Sequence, residues 1–215
     1  MIITIGSQKG GAGKSTIAIN MALMIASSSL EYRVALVDTD KQRSCVQTLA
    51  KNDRENLNIY DFTDEDMPRK PNRLIQDLEE DVVIVDTPPH SHEVMHLSAA
   101  VSDIVIIPIQ PSPLDVRAAK ETVAALEVIS ETVNTALECR FLLNRVKAGT
   151  ILGNEIGETI QKLYPFGVLS SVLYDRQIYK QSLITGRSVL EFDKNSPASK
   201  EMGGLVVEVL KLMSK

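Results

Sequence analysis

The chain has few cysteines, no tryptophan and no hydrophobic stretch long enough to cross a bilayer. Cys45 and Cys139 lie far apart, match no metal-binding spacing and are too few for a disulfide framework, so we interpret both as structural thiols in a reducing cytosol. No segment approaches the roughly 20 apolar residues of a membrane span, and no basic region leads into a long apolar stretch at the N-terminus. These absences argue against a secreted or membrane-spanning protein and predict a cytoplasmic one.

Excess positive charge is also missing. The 23 lysines and arginines are outnumbered by 28 acidic residues, which gives a net charge of −5. This balance argues against a uniformly basic nucleic-acid binder, so any contact with DNA requires a local basic patch. The length of 215 residues and the 44% hydrophobic content suffice for one well-packed α/β domain, and we expect a single domain over residues 1–215.

Short β-branched runs alternate with segments of helical periodicity along the chain. The predicted strands are Ile2–Ile5, Val34–Asp38, Val82–Asp86, Ile104–Pro108, Arg140–Asn144 and Val168–Val172. The clearest predicted helices are Lys14–Ser27, Asp115–Ser130, Ile151–Leu163 and Ser199–Met213. Near-continuous apolar strands with room for crossover helices predict a doubly wound α/β fold, a mostly parallel sheet with helices on both faces. We interpret the polar stretch Lys51–Asn72 as a surface loop region.

The strongest motif is a glycine-rich turn between the first predicted strand and the first predicted helix. Residues 8–16 read Gln-Lys-Gly-Gly-Ala-Gly-Lys-Ser-Thr. Such a turn aims backbone N–H groups and the positive end of a helix dipole at one point, which favours polyphosphate. Lys14 would reach the β/γ-phosphates, and the Ser15 hydroxyl would ligate Mg²⁺. The predicted nucleotide-binding residues of this loop are Lys9, Gly10, Gly11, Ala12, Gly13, Lys14, Ser15 and Thr16.

Three later strand ends carry polar side chains at the same expected edge of the sheet. Asp86 ends an apolar run in the form of a Walker B motif, which predicts a magnesium ligand. Asp38 and Asp40 follow another strand and alternate faces, so one should point at the metal and phosphates and the other elsewhere. Any one such aspartate alone more often caps a helix or forms a turn. Asn144, followed by Arg145, is either a nucleotide contact or a turn residue.

In its motifs and their order the chain resembles the deviant Walker A ATPases, the group that includes the ParA and MinD proteins. The resemblance rests on the Lys-Gly-Gly-x-Gly-Lys-Ser loop, Asp38-Thr39-Asp40, Asp86-Thr87-Pro88-Pro89 and Leu142-Leu143-Asn144-Arg145. The segments Ile107–Asp115, Arg176–Tyr179 and Ser188–Glu191 are most similar to the small plasmid partition ATPases of the ParF type.

This resemblance implies an ATPase that uses ATP and Mg²⁺ to partition plasmid DNA or to position another large cargo. Lys9 would be the signature lysine that crosses an ATP-dependent homodimer, and a cation supplied in this way accelerates phosphoryl transfer by ~10³ to 10⁵. Asp40 would position the attacking water and Asp38 would lie beside the magnesium site, so the predicted catalytic residues are Lys9, Lys14 and Asp40, and the predicted metal residues are Ser15, Asp38 and Asp86. The resemblance also implies nonspecific DNA, a centromere-binding or cargo adaptor protein, and no N-terminal DNA-binding extension. Whether dimers form polymers stays open.

Basic residues for DNA are concentrated in the C-terminal third of the chain. The candidates are Arg176, Lys180 and Arg187, with Arg145, Lys147 and Lys200 in reserve. Arg176 and Lys180 would share a face if that segment were helical. Ordinary solvated surface charge is the competing interpretation.

Other functions leave weaker signals. His92-Glu93-Val94-Met95-His96 matches the zinc protease motif H-E-x-x-H, but only His90 is left as a third histidine, and chance or a switch-loop role is favoured. A membrane-associated regulator of the MinD type would need a basic amphipathic C-terminal helix, and Met202–Met213 has few basic residues. Two isolated cysteines do not suggest a nitrogenase-like reductase. A non-hydrolysing DNA scaffold switched by ATP remains an alternative.

Overall fold

The computed structural model describes residues 1–63, 71–149 and 152–213. Strands and helices alternate as far as the seventh strand, as the sequence predicts, and three helices follow that strand. The strands are β1 Ile2–Ile5, β2 Val34–Asp38, β3 Leu57–Asp61, β4 Val82–Asp86, β5 Ile104–Ile109, β6 Glu138–Val146 and β7 Gly167–Tyr174. The helices are α1 Lys14–Ala26, α2 Ser44–Thr48, α3 Pro71–Gln76, α4 His92–Ala99, α5 Pro113–Thr132, α6 Leu152–Leu163, α7 Ile178–Ile184, α8 Val189–Phe192 and α9 Pro197–Met213.

The seven strands form one parallel sheet in the order β3-β2-β4-β1-β5-β6-β7. Consecutive strands β1 and β2 lie on either side of β4, whereas β5, β6 and β7 follow one another outward from β1. The chain therefore reverses its direction of winding at β1. In such sheets the crevice beyond the carboxyl ends of the strands at this switch point is where ligands bind.

Helices cover both faces because the strands are apolar on both faces. Along β5, Ile104 and Ile106 pack in the core cluster that contains residues of α1 and α9. The intervening Val105 and Ile107 pack on the opposite face in the cluster formed with α5 and α6. The doubly wound fold is therefore confirmed, and the sheet is parallel throughout.

One prediction about the fold is wrong. The stretch Lys51–Asn72, interpreted as surface loop, contains strand β3, which pairs in parallel with β2. β3 is the last strand at its side of the sheet, and of its residues only Leu57 is buried. An edge strand of this kind has no continuous apolar run, so its sequence resembles a loop.

The remaining predicted elements differ from the structure by a few residues at their ends. The largest extensions are in β6 and α5, which include two residues on either side of the predicted Arg140–Asn144 and Asp115–Ser130, respectively. Residues 64–70 of the predicted loop and residue 151 of a predicted helix lie outside the described residues. None of the described helices combines the length and the apolar character needed to span a membrane.

Candidate nucleotide-binding site

The glycine-rich turn joins β1 to α1 at the switch point of the sheet. Gly11 and Gly13 have φ angles of 74° and 91°, a left-handed conformation that side chains disfavour. A Cβ atom on Gly13 would also lie 2.5 Å from Nδ2 of Asn144, so glycine is needed there for space as well. Helix α1 begins directly after Gly13, whose carbonyl accepts a hydrogen bond from the Ile17 N–H at 3.0 Å. The predicted phosphate-binding loop therefore has the strand-turn-helix geometry that anion binding requires.

Lys14 is the buried cation of this loop. Its side chain is 6% exposed, and Nζ donates a hydrogen bond to the Lys9 carbonyl at 3.2 Å. Burial lowers the pKa of Lys14, while the charges of Asp86 and Asp40 oppose this effect. The side chain is thus held beside the loop before any ligand arrives, which suits a residue that binds phosphate oxygens.

Asp38 and Asp86 end neighbouring strands and lie opposite each other in the β2-β4 register. Both side chains are fully buried. The Asp38 carboxylate accepts backbone N–H bonds from Asp40 at 3.1 Å, Cys45 at 2.8 Å and Val46 at 3.2 Å. Burial raises the pKa of Asp38 although these hydrogen bonds act in the opposite direction.

Asp86 is the less satisfied of the two carboxylates. Its Oδ1 is buried and has no hydrogen-bond partner among the described residues. Burial raises the pKa of Asp86 to about 7, against an opposing effect of the nearby Ser15 hydroxyl. A buried carboxylate oxygen without a partner is costly, and a hard cation would satisfy it. The hydroxyl of Ser15 and the carboxylate of Asp86 are therefore a donor set that fits Mg²⁺.

Asp40 lies two residues beyond the end of β2, and its backbone N–H donates to the Asp38 carboxylate. Its Oδ1 accepts the Gln42 N–H at 2.9 Å, within the loop that precedes α2. Asp40 is half-buried, and its charge acts on Lys14. Its carboxylate therefore lies near Lys14 at the rim of the phosphate loop, and its role in positioning water stays a prediction.

Cys45 is buried, as expected of a structural thiol, but it occupies the acidic cluster. Its thiol donates to Oδ2 of Asp86 at 3.3 Å. Burial and the neighbouring carboxylates raise the pKa of Cys45 well above its ordinary value. Sequence reasoning missed this position because the contact arises only when α2 folds back over the ends of β2 and β4.

The second lysine of the loop, Lys9, extends toward the start of α5. Its side chain is 45% exposed and forms an ion pair with Asp115, which is only 6% exposed in the first turn of α5. On the same side Gln110 Nε2 donates to the Gly11 carbonyl at 3.3 Å. Asp115 was not expected as a partner of Lys9, because nothing in the local sequence indicates that the start of α5 meets the phosphate loop.

An open cavity adjoins the loop on the side of β6 and β7. It is lined by Gly13, Thr16, Ile17, Asn144, Arg145, Leu173, Tyr174, Asp175, Arg176, Tyr179, Lys180 and Met202. Asn144 is buried, and its Nδ2 donates to the Ala12 carbonyl at 2.7 Å, so this amide fixes the end of β6 to the phosphate loop. Arg145 has a φ angle of 54° and lies in β6 where its pairing register with β7 shifts, between Leu143 and Val146.

The structure places the DNA-binding candidates in different surroundings. Arg176 pairs with Glu201 at 2.6 Å and lies over the Tyr174 ring at 5.4 Å, so its charge is already compensated. Arg176 precedes α7 and Lys180 lies within it, so the two do not share one helix face. Both line the cavity beside the phosphate loop, whereas Arg187 is exposed beyond the end of α7.

The H-E-x-x-H segment does form a helix, α4, capped by Ser91. Nδ1 of His92 lies 2.8 Å from Nε2 of Gln8, beside the phosphate loop. Among the described residues, the three-membered group of potential ligand atoms close enough to share a metal ion is Asp38, Cys45 and Asp86, without a histidine. The geometry thus connects His92 to the nucleotide loop and offers no support for a zinc protease site.

Comparison with known proteins agrees with this geometry. The family model described as "CobQ/CobB/MinD/ParA nucleotide binding domain" matches residues 3–189. The "Maintenance of carboxysome distribution protein A" of Halothiobacillus neapolitanus is 27% identical over 213 residues, which covers 97% of this chain and 95% of that protein.

Solved structures show the same fold at lower identity. A Cyanothece McdA variant in complex with ATP superposes with a TM-score of 0.80 at 17% identity, covering 98% of this chain and 96% of that one. The septum site-determining protein MinD of Pyrococcus horikoshii with Mg-ADP gives a TM-score of 0.78 at 20% identity, covering 99% and 96% of the two chains.

Proposed function

Because the chain belongs to the CobQ/CobB/MinD/ParA nucleotide-binding family, we propose that it is a ParA-type ATPase that positions a large cargo or partitions plasmid DNA. One observation carries the proposal. The two buried strand-end aspartates and the buried Lys14 meet at a glycine-rich loop, and one carboxylate oxygen there has no partner among the described residues. This is a site for a polyphosphate with a divalent cation.

In this proposal the loop from Lys9 to Thr16 holds the phosphates of ATP. Its backbone N–H groups and the N-terminus of α1 attract the anion, and Lys14 contributes the buried positive charge. The purine would extend from Gly13 into the adjoining cavity, where Asn144, Arg145 and Tyr174 lie. Asn144 supports this arrangement indirectly, because its amide ties the cavity wall to the loop.

Ser15 and Asp86 would hold Mg²⁺, with Asp38 beside them. The ion supplies positive charge to the phosphate oxygens when bound. Lys14 would stabilise the phosphates, and Asp40 at the rim would orient the attacking water. Water positioning is assigned to Asp40 and not Asp38, since the Asp38 side chain is fully buried whereas Asp40 is only half-buried.

Hydrolysis would depend on assembly through Lys9. This side chain is the exposed cation of the loop and is attached to α5 by its ion pair with Asp115. On ATP binding, Lys9 would leave Asp115 and reach the phosphates bound by a second copy of the chain. A cation that arrives only in the homodimer makes turnover conditional on dimerisation.

The biological partners are part of the same proposal. The ATP-bound dimer would bind nonspecific DNA in the cytoplasm, associated with the nucleoid, and an adaptor on the cargo would stimulate hydrolysis and release. A protein named for carboxysome distribution is among the relatives, so protein-bound cargo is as suitable as a plasmid centromere complex. The DNA candidates of this proposal are Lys180 and Arg187, with Arg176 after it separates from Glu201.

The test is nucleotide-dependent dimerisation, measured by light scattering. The wild-type protein should be dimeric with Mg²⁺ and a nonhydrolysable ATP analogue, and monomeric with ADP. Lys9→Ala should bind the analogue and stay monomeric, and Lys51→Ala, which removes an exposed lysine outside the loop, should behave as wild type. Equal dimer fractions for wild type and Lys9→Ala would contradict the proposal.

Two further assays separate the alternatives. A dimer that binds DNA without turnover in the presence of adaptor and DNA would indicate an ATP-switched scaffold. Binding of the ATP-bound form to anionic vesicles in place of DNA would indicate a MinD-like regulator.

A further inference from the structure

A thiol lies inside the acidic cluster at the carboxyl ends of β2 and β4. A carboxylate oxygen of Asp38, the sulfur of Cys45 and a carboxylate oxygen of Asp86 lie within 4.8 Å of one another. All three side chains are fully buried. Helix α2 fixes the thiol there, because the Asp38 carboxylate accepts the backbone N–H groups of Cys45 and Val46.

The Asp86 carboxylate, which the proposed function assigns to Mg²⁺ when nucleotide is bound, also indicates a cation ligand in the nucleotide-free protein. It is fully buried, and its Oδ1 lacks a hydrogen-bond partner in the described part of the chain. Its other oxygen is contacted by the Cys45 thiol at 3.3 Å. Buried polar atoms are nearly always satisfied, so a partner-free carboxylate oxygen beside two other potential ligands is suited to bind a cation.

We propose that Asp38, Cys45 and Asp86 bind a thiophilic divalent cation of the Zn²⁺ class in the nucleotide-free protein. Mg²⁺ takes oxygen ligands and gains little from sulfur, whereas Zn²⁺ binds thiolate at about 2.3 Å and carboxylate oxygen at about 2.0 to 2.2 Å. The three ligand atoms lie within 4.8 Å of one another, so small side-chain shifts would bring all three to these metal–ligand distances. The thiol proton passes to solvent when the metal–sulfur bond forms.

The consequence for the cycle rests on the proposed ATPase function. A cation held by Asp86 and Cys45 would occupy the region assigned to Mg²⁺ and would oppose Mg-ATP binding. The binding of the thiophilic cation itself requires neither nucleotide nor hydrolysis, so it can be measured separately from turnover.

The direct test uses Cd²⁺ as a spectroscopic substitute for Zn²⁺ on nucleotide-free protein. Titration should produce thiolate-to-metal charge-transfer absorbance that saturates at one ion per chain. Cys45→Ser should abolish this band, and Cys139→Ser, which removes the other buried free cysteine, should leave it unchanged. Loss of one ligand should weaken Zn²⁺ binding roughly tenfold or more, since even outer-shell substitutions have effects of that size.

A second substitution protects the test against a folding defect. Cys45→Ala should lose the band while its circular dichroism spectrum and a cooperative thermal transition show that the variant is folded. Asp86→Asn should retain the thiol and bind Cd²⁺ more weakly. A band that persists in Cys45→Ser, or that Cys139→Ser removes equally, would overturn the proposal. If the band behaves as expected but Mg-ATP is never hydrolysed, the metal site stands and the ATPase proposal fails.

Discussion

The inner and outer parts of the phosphate site are built differently. The inner part, Lys14 with Asp38 and Asp86, is buried and is fixed by neighbouring strands of one chain. The outer cations, Lys9 and Arg176, are each held by a carboxylate of their own chain, Asp115 and Glu201. The inner part is therefore ready to bind a small ligand, whereas an outer cation can serve a second molecule only after its ion pair separates.

The largest expected effect tests the inner part. Lys14→Ala should weaken binding of a nonhydrolysable ATP analogue by roughly 10² to 10³, because it removes a buried charge partner of the phosphates. Isothermal titration calorimetry measures the affinity. Lys9→Ala is the matched control in the same loop and should change the affinity little. Comparable losses of affinity in Lys14→Ala and Lys9→Ala would contradict the proposed difference between the inner and outer parts.

Asp40 lies at the boundary between the two parts, and its substitution should separate binding from chemistry. Asp40→Ala should bind ATP and dimerise, while the hydrolysis rate falls by roughly 10² because the attacking water loses its orientation. Phosphate release, assayed with adaptor and DNA present, measures the rate. Turnover near the wild-type rate would remove Asp40 from the catalytic assignment.

The inner part should also make stability depend on pH. Burial raises the pKa of Asp86 to about 7 from an ordinary value of 3.8. A carboxyl group with a raised pKa stabilises the fold fully below its unfolded pKa, and this stability is lost as the pH rises toward the folded pKa. The nucleotide-free protein should therefore lose on the order of a few kcal/mol between about pH 4 and pH 7.

Asp86→Asn should reduce this loss, leaving a smaller slope from Asp38, whose pKa is also raised. Urea unfolding at several pH values gives the free energies. Identical pH dependence in wild type and variant would exclude Asp86 as its source.

The ion pair between Lys9 and Asp115 should limit dimerisation modestly. Asp115→Asn keeps the shape of the side chain and removes its charge, so Lys9 leaves more readily. Because Lys9 is 45% exposed, solvent screens the pair, and the analogue concentration at half-maximal dimerisation should fall only about two- to fivefold. Light scattering at increasing analogue concentrations measures this midpoint. A rise in that concentration would mean that Asp115 supports the dimer instead of restraining Lys9.

The smallest effect concerns DNA. If Lys180 and Arg187 contact phosphates, replacing either by alanine should lower the slope of log affinity against log salt by about one, without changing sequence preference. Arg176 is a poorer probe, since its removal also leaves Glu201 unpaired. Titration of mixed-sequence duplex at several salt concentrations, with the ATP analogue or ADP, provides the slopes. Equal binding with both nucleotides would place the DNA site elsewhere.

The residues of the inner part could be proposed from the sequence because their motifs are local. An apolar strand that ends in aspartate, as at Asp86, or a glycine turn that enters a helix can be recognised within ten residues. Contacts between distant segments leave no such signal, and for this reason Cys45 beside Asp86 and Asp115 beside Lys9 were not foreseen. Strand β3 was missed for a different reason, since an edge strand lacks the continuous apolar run that identifies its neighbours.

The burial of Asp115 favours the return of Lys9 to its own chain after hydrolysis in the proposed cycle. This carboxylate is 6% exposed, so departure of Lys9 leaves a poorly hydrated anion behind, a state of higher free energy. In the proposed dimer, binding of Lys9 to the nucleotide phosphates would offset this free-energy cost. After release of the γ-phosphate, the Lys9–Asp115 ion pair would form again and the dimer would dissociate. Hydrolysis would therefore set the lifetime of the dimer.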